Sequence, residues 1–229
     1  MHGDTALMVH GAGGGGWEWA LWARVFAAAG WRVHAPDLLP APGGLAGTRL
    51  ADYDAQVLAW CSAPQPRLLI GASLGGLLAL RAAAHLGEAL LVLVNPLPPA
   101  GIDGAFEVAR RREGDIVRWQ RDATLHSTAR ALPDAEPDVW QVAWRRWRDE
   151  SGAVLTDAAS ARSDRPQSRS LVLVSGADDD VPAASSRAVA RWLGAELLEF
   201  PEASHVGPLL GRDAIDAAER VLAWVQFRS

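Results

Sequence analysis

Leu68-Leu-Ile-Gly-Ala-Ser-Leu-Gly-Gly-Leu-Leu-Ala-Leu80 is the stretch whose reading decides the fold. A short apolar run ends at Gly71-Ala72-Ser73-Leu74-Gly75, and a Leu/Ala-rich helical pattern follows at once. This is the G-x-S-x-G pattern in the strand-turn-helix setting that gives it meaning. A serine at the apex of so tight a turn is pushed toward strained backbone angles, and side chains on its flanks would collide where the two arms meet. Gly71 and Gly75 remove those side chains. The turn lifts the Ser73 hydroxyl clear of the backbone and sets it beside the first amides of a helix, where a developing oxyanion is favoured. Ser73 is therefore the candidate nucleophile.

Working outward, strands and helices alternate. Strands are expected at Ala6–His10, Trp31–Ala35, Arg67–Gly71, Ala89–Val94, Leu171–Ser175 and Glu196–Phe200. Helices are expected at Trp17–Ala29, Leu50–Trp60, from the serine turn to about His85, at Ser185–Leu193 and at Arg212–Gln226, the last with Ile215, Val221, Leu222 and Val225 inward. Such alternation implies a parallel sheet with helices on both faces and a site at the carboxyl ends of the strands. His10-Gly11-Ala12-Gly13-Gly14-Gly15-Gly16 stands at one such end, bringing bare backbone N–H groups over the sheet. A phosphate-binding loop is the rival, but the chain has neither lysine nor a G-x-G-x-x-G register followed by an acid. His10 reads as a brace for this loop.

Pro96-Leu97-Pro98-Pro99 interrupts the alternation, and residues 101–167 read as a charged helical cap between two core parts, 1–100 and 168–229. No strand is expected in the cap. Trp140, Trp144 and Trp147 recur at i, i+4 and i+7, so they share one face of a helix over about Pro137–Glu150. That stripe reads first as the packing face of the cap and second as pocket lining. Trp140 and Trp144, with Gly13, are the candidate substrate contacts, and Trp119 is open to either reading.

Composition narrows the class. With 229 residues, about half apolar and a fifth charged, the chain suits one globular domain with an insertion. All 22 basic residues are arginine, which excludes Schiff-base chemistry and a Walker-type loop. Residues 101–170 carry 12 arginines against 12 acids, so the net charge of −5 lies in the rest of the chain, with 10 against 15; neither part has the surplus of a nucleic-acid binder. Arg110-Arg111-Arg112 and Arg145-Arg146 read as salt-bridged surface. Cys61 is the single cysteine, so neither an internal disulfide nor a thiolate metal cluster can form. No run approaches a membrane span and no secretory signal is evident, so the expected location is cytoplasmic.

Ser73 needs a base, because its hydroxyl is a poor nucleophile near neutral pH. His205, in a loop after a late strand and downstream of an acid-rich loop, completes the chain order Ser, Asp, His. The acid lies among Asp178, Asp179 and Asp180; Asp179 is the first choice and Asp178 the alternate, the others serving to cap the turn.

HGAGGGGW, GWRVHAPDL, GASLGGL, GADDDVP and the ASH turn stand in the order of the α/β-hydrolase superfamily, which the whole chain except the cap resembles. Within it, the chain is similar to the small serine esterases of the methylesterase and hydroxynitrile-lyase-like group. The resemblance implies Ser73 as nucleophile, His205 as base, Asp179 as third member, and the amides of Ala12 and Leu74 as oxyanion hole. It implies a small-molecule ester as substrate and no cofactor. Four departures stand out. The usual first antiparallel hairpin is expected to be missing. The acid loop is one residue shorter from Asp179 to Pro182 than the common spacing, which Asp178 satisfies. Gly14 replaces a second histidine of the plant enzymes, and Val206 replaces the lysine of the cyanide-releasing lyases. Ester hydrolysis leads; a thioesterase, a C–C bond hydrolase or a non-catalytic ligand receptor on the same fold are the alternatives.

Overall fold

The computed structural model describes residues 4–62, 64–87, 89–107 and 115–227; Arg110-Arg111-Arg112 lies outside these. In chain order the strands are β1 (Thr5–Val9), β2 (Arg32–His34), β3 (Leu68–Ala72), β4 (Leu90–Val94), β5 (Ile116–Val117), β6 (Glu150–Ser151), β7 (Ser170–Ser175) and β8 (Glu196–Phe200). The helices are α1 (Ala20–Ala28), α2 (Leu50–Trp60), α3 (Leu74–Ala83), α4 (Trp119–Asp122), α5 (Leu125–Ala131), α6 (Pro137–Trp144), α7 (Gly152–Ala158), α8 (Ala183–Leu193), α9 (Gly207–Leu210) and α10 (Ala214–Gln226). Six strands form one sheet in the order β2-β1-β3-β4-β7-β8, every pairing parallel.

Strand alternation divides the interior in two. Leu7, Val9, Leu69, Leu91, Leu93, Val172 and Val174 point to one face, where Tyr53 and Val57 of α2, Leu77 of α3 and Val189 of α8 cover them. Ala6, Met8, Leu68, Ile70, Val92, Leu171 and Leu173 point to the other, under Trp22 and Phe26 of α1 and Val221 and Val225 of α10. Continuous apolar strands are what a parallel sheet buried on both faces requires.

Three expectations change. A short antiparallel ribbon, β5 with β6, stands within the insertion, where no strand was expected. α6 stops at Trp144 instead of running to Glu150, and one further turn carries the chain to Trp147, whose N–H donates to Ala143 O at 2.9 Å. Ile215 faces solvent at 50% exposure; Ala214, Ala217 and Ala218 supply the buried face of α10 with Val221 and Val225. Among the described residues the large sheet contains no antiparallel strand, and no helix is long and apolar enough to cross a membrane.

Candidate active site

Ser73 occupies the turn between β3 and α3 with φ 51° and ψ −120°, a conformation that non-glycine residues adopt only when their surroundings enforce it. The flanking glycines permit that turn. A Cβ on Gly71 would lie 2.1 Å from the Gly75 carbonyl oxygen, and one on Gly75 would lie 2.3 Å from the Val9 carbonyl oxygen. The Ser73 N–H donates to Val94 O at 3.0 Å, and its carbonyl accepts from Leu97 N at 3.0 Å, so the apex is tied to β4 and the loop after it.

His205 lies in the loop between β8 and α9. Its Nδ1 is 2.7 Å from Asp178 Oδ2, and the Asp178 side chain is fully buried. Asp178 Oδ1 accepts from Asp180 N at 2.9 Å and Val181 N at 2.7 Å, which closes the acid loop into a turn and aims the second oxygen at the ring. The choice of Asp179 as partner is corrected by this geometry: Asp179 is exposed, and the carboxylate on His205 is that of Asp178. With Nδ1–H donating to a carboxylate, Nε2 is left to accept a proton. Burial alone would lower the His205 pKa. The Asp178 hydrogen bond and charge, helped by Asp180 and Glu18, outweigh it and hold the pKa above the ordinary histidine value.

Two side chains that the sequence did not single out hold this loop. Asp134 accepts from Ser204 N at 2.9 Å and Ser204 Oγ at 2.6 Å, the residue before His205. Asn95, at the end of β4 with φ 44°, donates from Nδ2 to His205 O at 2.6 Å and accepts from Ser175 N at 2.9 Å.

The glycine loop is braced as tightly. His10 Nδ1 donates to Gly11 O at 2.7 Å while Nε2 accepts from Leu38 N at 2.9 Å. Both ring nitrogens are spent, and burial lowers the pKa to about 4, so His10 is a neutral brace. Glu150 receives Gly13 N at 3.3 Å, Tyr53 OH at 3.0 Å and Ser151 N at 2.8 Å. Gly13 has φ +70°, and a Cβ there would meet the Trp119 ring at 2.4 Å. Gly11 lies against Ser73: a Cβ on it would be 3.1 Å from the serine Cβ. Among the described residues the amides of Ala12 and Leu74 donate to no protein acceptor.

Loops from the strand ends and side chains of the insertion enclose a cavity of about 550 Å³. Ser73, His205, Ala12 and Gly13 line it. Trp140 and Trp144 do not: Trp140 packs on the core with its Nε1 on Leu132 O, and Trp144 is exposed with its Nε1 on Ala123 O. Among the described residues Trp119 and Trp147 are the tryptophans of the cavity wall, and Trp147 also packs against the core cluster that Trp140 touches.

A family model described as "Alpha/beta hydrolase family" matches residues 6–223. The chain belongs to the alpha/beta hydrolase family. Its fold is similar to that of a methylesterase from Arabidopsis (14% identity, 98% of this chain and 99% of that one, TM-score 0.74). It is also similar to a pyrethroid hydrolase from Sphingobium faniae (18%, 97% and 98%, 0.74) and to a thermophilic esterase from Thermogutta terrifontis (19%, 98% and 90%, 0.72). No curated protein matches the chain.

One residue of this alpha/beta hydrolase cavity had drawn no attention in the sequence. Glu18, between Trp17 and Trp19, is 3% exposed and lines the cavity. Burial, opposed by the Gly15 amide and by His205 and Arg148, pushes its pKa up to about 7. A lone acid amid glycine and tryptophan was the available signal.

Proposed function

We propose that the chain is a serine hydrolase that cleaves carboxylic esters through an acyl-enzyme, with residues 101–167 as a cap over the cavity. Ser73 Oγ attacks the ester carbonyl while His205 Nε2 takes its proton; Asp178 keeps the imidazole in the accepting tautomer and steadies its cation. The carbonyl oxygen becomes an oxyanion, which the free amides of Ala12 and Leu74 receive. Collapse expels the alcohol, protonated by His205. Water, deprotonated by the same imidazole, then releases the acid and restores Ser73.

The observation that carries this reading is the meeting, on one cavity, of a serine at a strained apex and a histidine hydrogen-bonded to a buried carboxylate. The esterases among the similar folds support the same bond type. A fluorophosphonate probe is the test: mass spectrometry should find it on Ser73 of the folded protein, and Ser73→Ala should lose both label and nitrophenyl ester turnover. An unlabelled Ser73 in folded protein would refute the proposal.

A further inference from the structure

Three carboxyl groups, of Glu18, Asp122 and Asp180, border the cavity, and among the described residues no arginine lines it. Among the described lining residues His205 is the one able to carry positive charge. Glu18 is the acid that water scarcely reaches, and its hydrogen bond comes from Gly15 N at 3.2 Å. Glu150 shows what a buried structural carboxylate receives in this fold: a backbone amide on one oxygen, and a tyrosine hydroxyl with a second amide on the other. Glu18 has far less. An ionised carboxyl removed from water and weakly hydrogen-bonded is costly until a cation joins it. The two cations that act on it are engaged elsewhere, Arg148 with Leu38 O and Asp37, and His205 with Asp178. Capping the turn at Gly16–Trp19 accounts for the Gly15 bond, but an exposed acid would serve that purpose equally.

Aromatic rings line the same cavity as this carboxyl. A Cβ on Gly14 would meet Glu18 Oε2 at 2.0 Å, just as a Cβ on Gly13 would meet Trp119. Neighbouring bare glycines are therefore covered by a carboxyl and by an indole. Trp147, held edge-on to Trp17 with centroids 5.6 Å apart, adds a second indole to the wall. A carboxylate that shares a cavity wall with two indole rings is chemistry that receives an organic ammonium.

We propose that the cavity selects esters bearing a cationic nitrogen, a tertiary or quaternary ammonium, with Glu18 and Trp119 as specificity-determining residues. This rests on the ester hydrolase reading and names its substrate class. Because Glu18 titrates at about 7, under the influence of His205, Arg148 and Asp37, its charge grows through the pH range in which a histidine base works. Asp122 and Asp180 at the rim add negative potential.

Butyrylcholine and 3,3-dimethylbutyl butyrate test it, since they share an acyl group and a shape and differ by nitrogen cation against carbon. Ser73 and His205 chemistry cancels in the ratio of their kcat/KM values. The choline ester should lead by roughly tenfold at about pH 8.5 and by less at about pH 6. Glu18→Gln should flatten that rise, and Trp119→Leu should cut the preference at every pH. Equal or better use of the neutral ester, or an unchanged ratio in both variants, would overturn the proposal. If neither ester turns over and Ser73 resists the fluorophosphonate, the hydrolase reading fails separately. Tetramethylammonium quenching of tryptophan fluorescence in Ser73→Ala then decides the cation site: quenching weakened by Glu18→Gln supports it, and no quenching overturns it.

Discussion

Replacing Asp178 by asparagine changes one atom and should nearly abolish turnover. Oδ1 of Asp178 is held by the amides of Asp180 and Val181 at 2.9 and 2.7 Å, so the asparagine carbonyl will stay with those two donors. Its amide nitrogen then faces His205 Nδ1, now 2.7 Å from Oδ2. Two donors cannot face each other, so Nδ1 must become the acceptor and the ring proton moves to Nε2. In that tautomer the imidazole cannot take the serine proton, and the cation it would form has lost its counter-charge. A fall in kcat of about 10⁴, or about 5.5 kcal/mol of transition-state stabilisation, is expected. Asp179→Asn, at an exposed side chain away from the ring, should stay within roughly twofold. The assay is nitrophenyl butyrate hydrolysis from acid to alkaline pH on both variants, with circular dichroism to confirm folding. Loss of activity in Asp179→Asn with retention in Asp178→Asn would falsify the pairing, and harmlessness of both would remove His205 from the mechanism.

Ser73→Gly should stabilise the protein by about 1 kcal/mol in urea titrations while ending catalysis, because glycine adopts positive φ without strain. Asp134→Ala leaves Ser204 N and Oγ without their acceptor in a buried setting; about 3 kcal/mol of stability should go. Since Asp134 does not line the cavity, kcat should fall with KM little changed. Glu18 has a raised pKa, about 7 folded against 4.5, so the folded state holds a proton that the unfolded state releases, and stability falls as pH climbs between those values. Glu18→Gln lacks that loss. Its stability relative to the parent should rise by about 3 kcal/mol from pH 4.5 to pH 7.5, and a pH-independent difference in urea midpoints would refute the buried titration.

The sheet was legible because a strand buried on both faces must be apolar throughout, and no helix pattern competes with runs such as Leu90–Val94 or Leu171–Ser175. Gly71 and Gly75 were legible for a related reason: the backbone contacts that exclude a Cβ at each are set by the turn itself. Which aspartate meets His205 was not legible from residue type, since three stand in a row. The loop decides it by turning on Asp178 Oδ1, and the spacing to Pro182 was the one sequence cue that favoured this residue. The tryptophan stripe was half legible: its first reading, packing on the core, holds for Trp140 and Trp147, which lie against the same buried cluster, whereas the pocket contacts chosen from it, Trp140 and Trp144, do not line the cavity and Trp147 does. Glu18 escaped notice because its role depends on burial, which the letter E between two tryptophans does not reveal.

The segment between β4 and β7 anchors the loops of the site. Glu150, in β6, takes the amide of Gly13, while Tyr53 of α2 donates to its other oxygen, so the glycine loop is set by a residue from outside the core. Asp134, between α5 and α6, holds the histidine loop through Ser204 N and Oγ. Arg49 pairs with Asp157 of α7, and Arg148 bonds Leu38 O; each ties the same segment to the core again. Both loops that face Ser73 thus have a buried carboxylate of the insertion as an anchor. Buried acceptors of this kind cost more to remove than exposed ones, because their donors are left without water. The loops that carry the glycines and His205 are thus fixed through Glu150 and Asp134, and Trp119 of α4 adds a ring contact at Gly13.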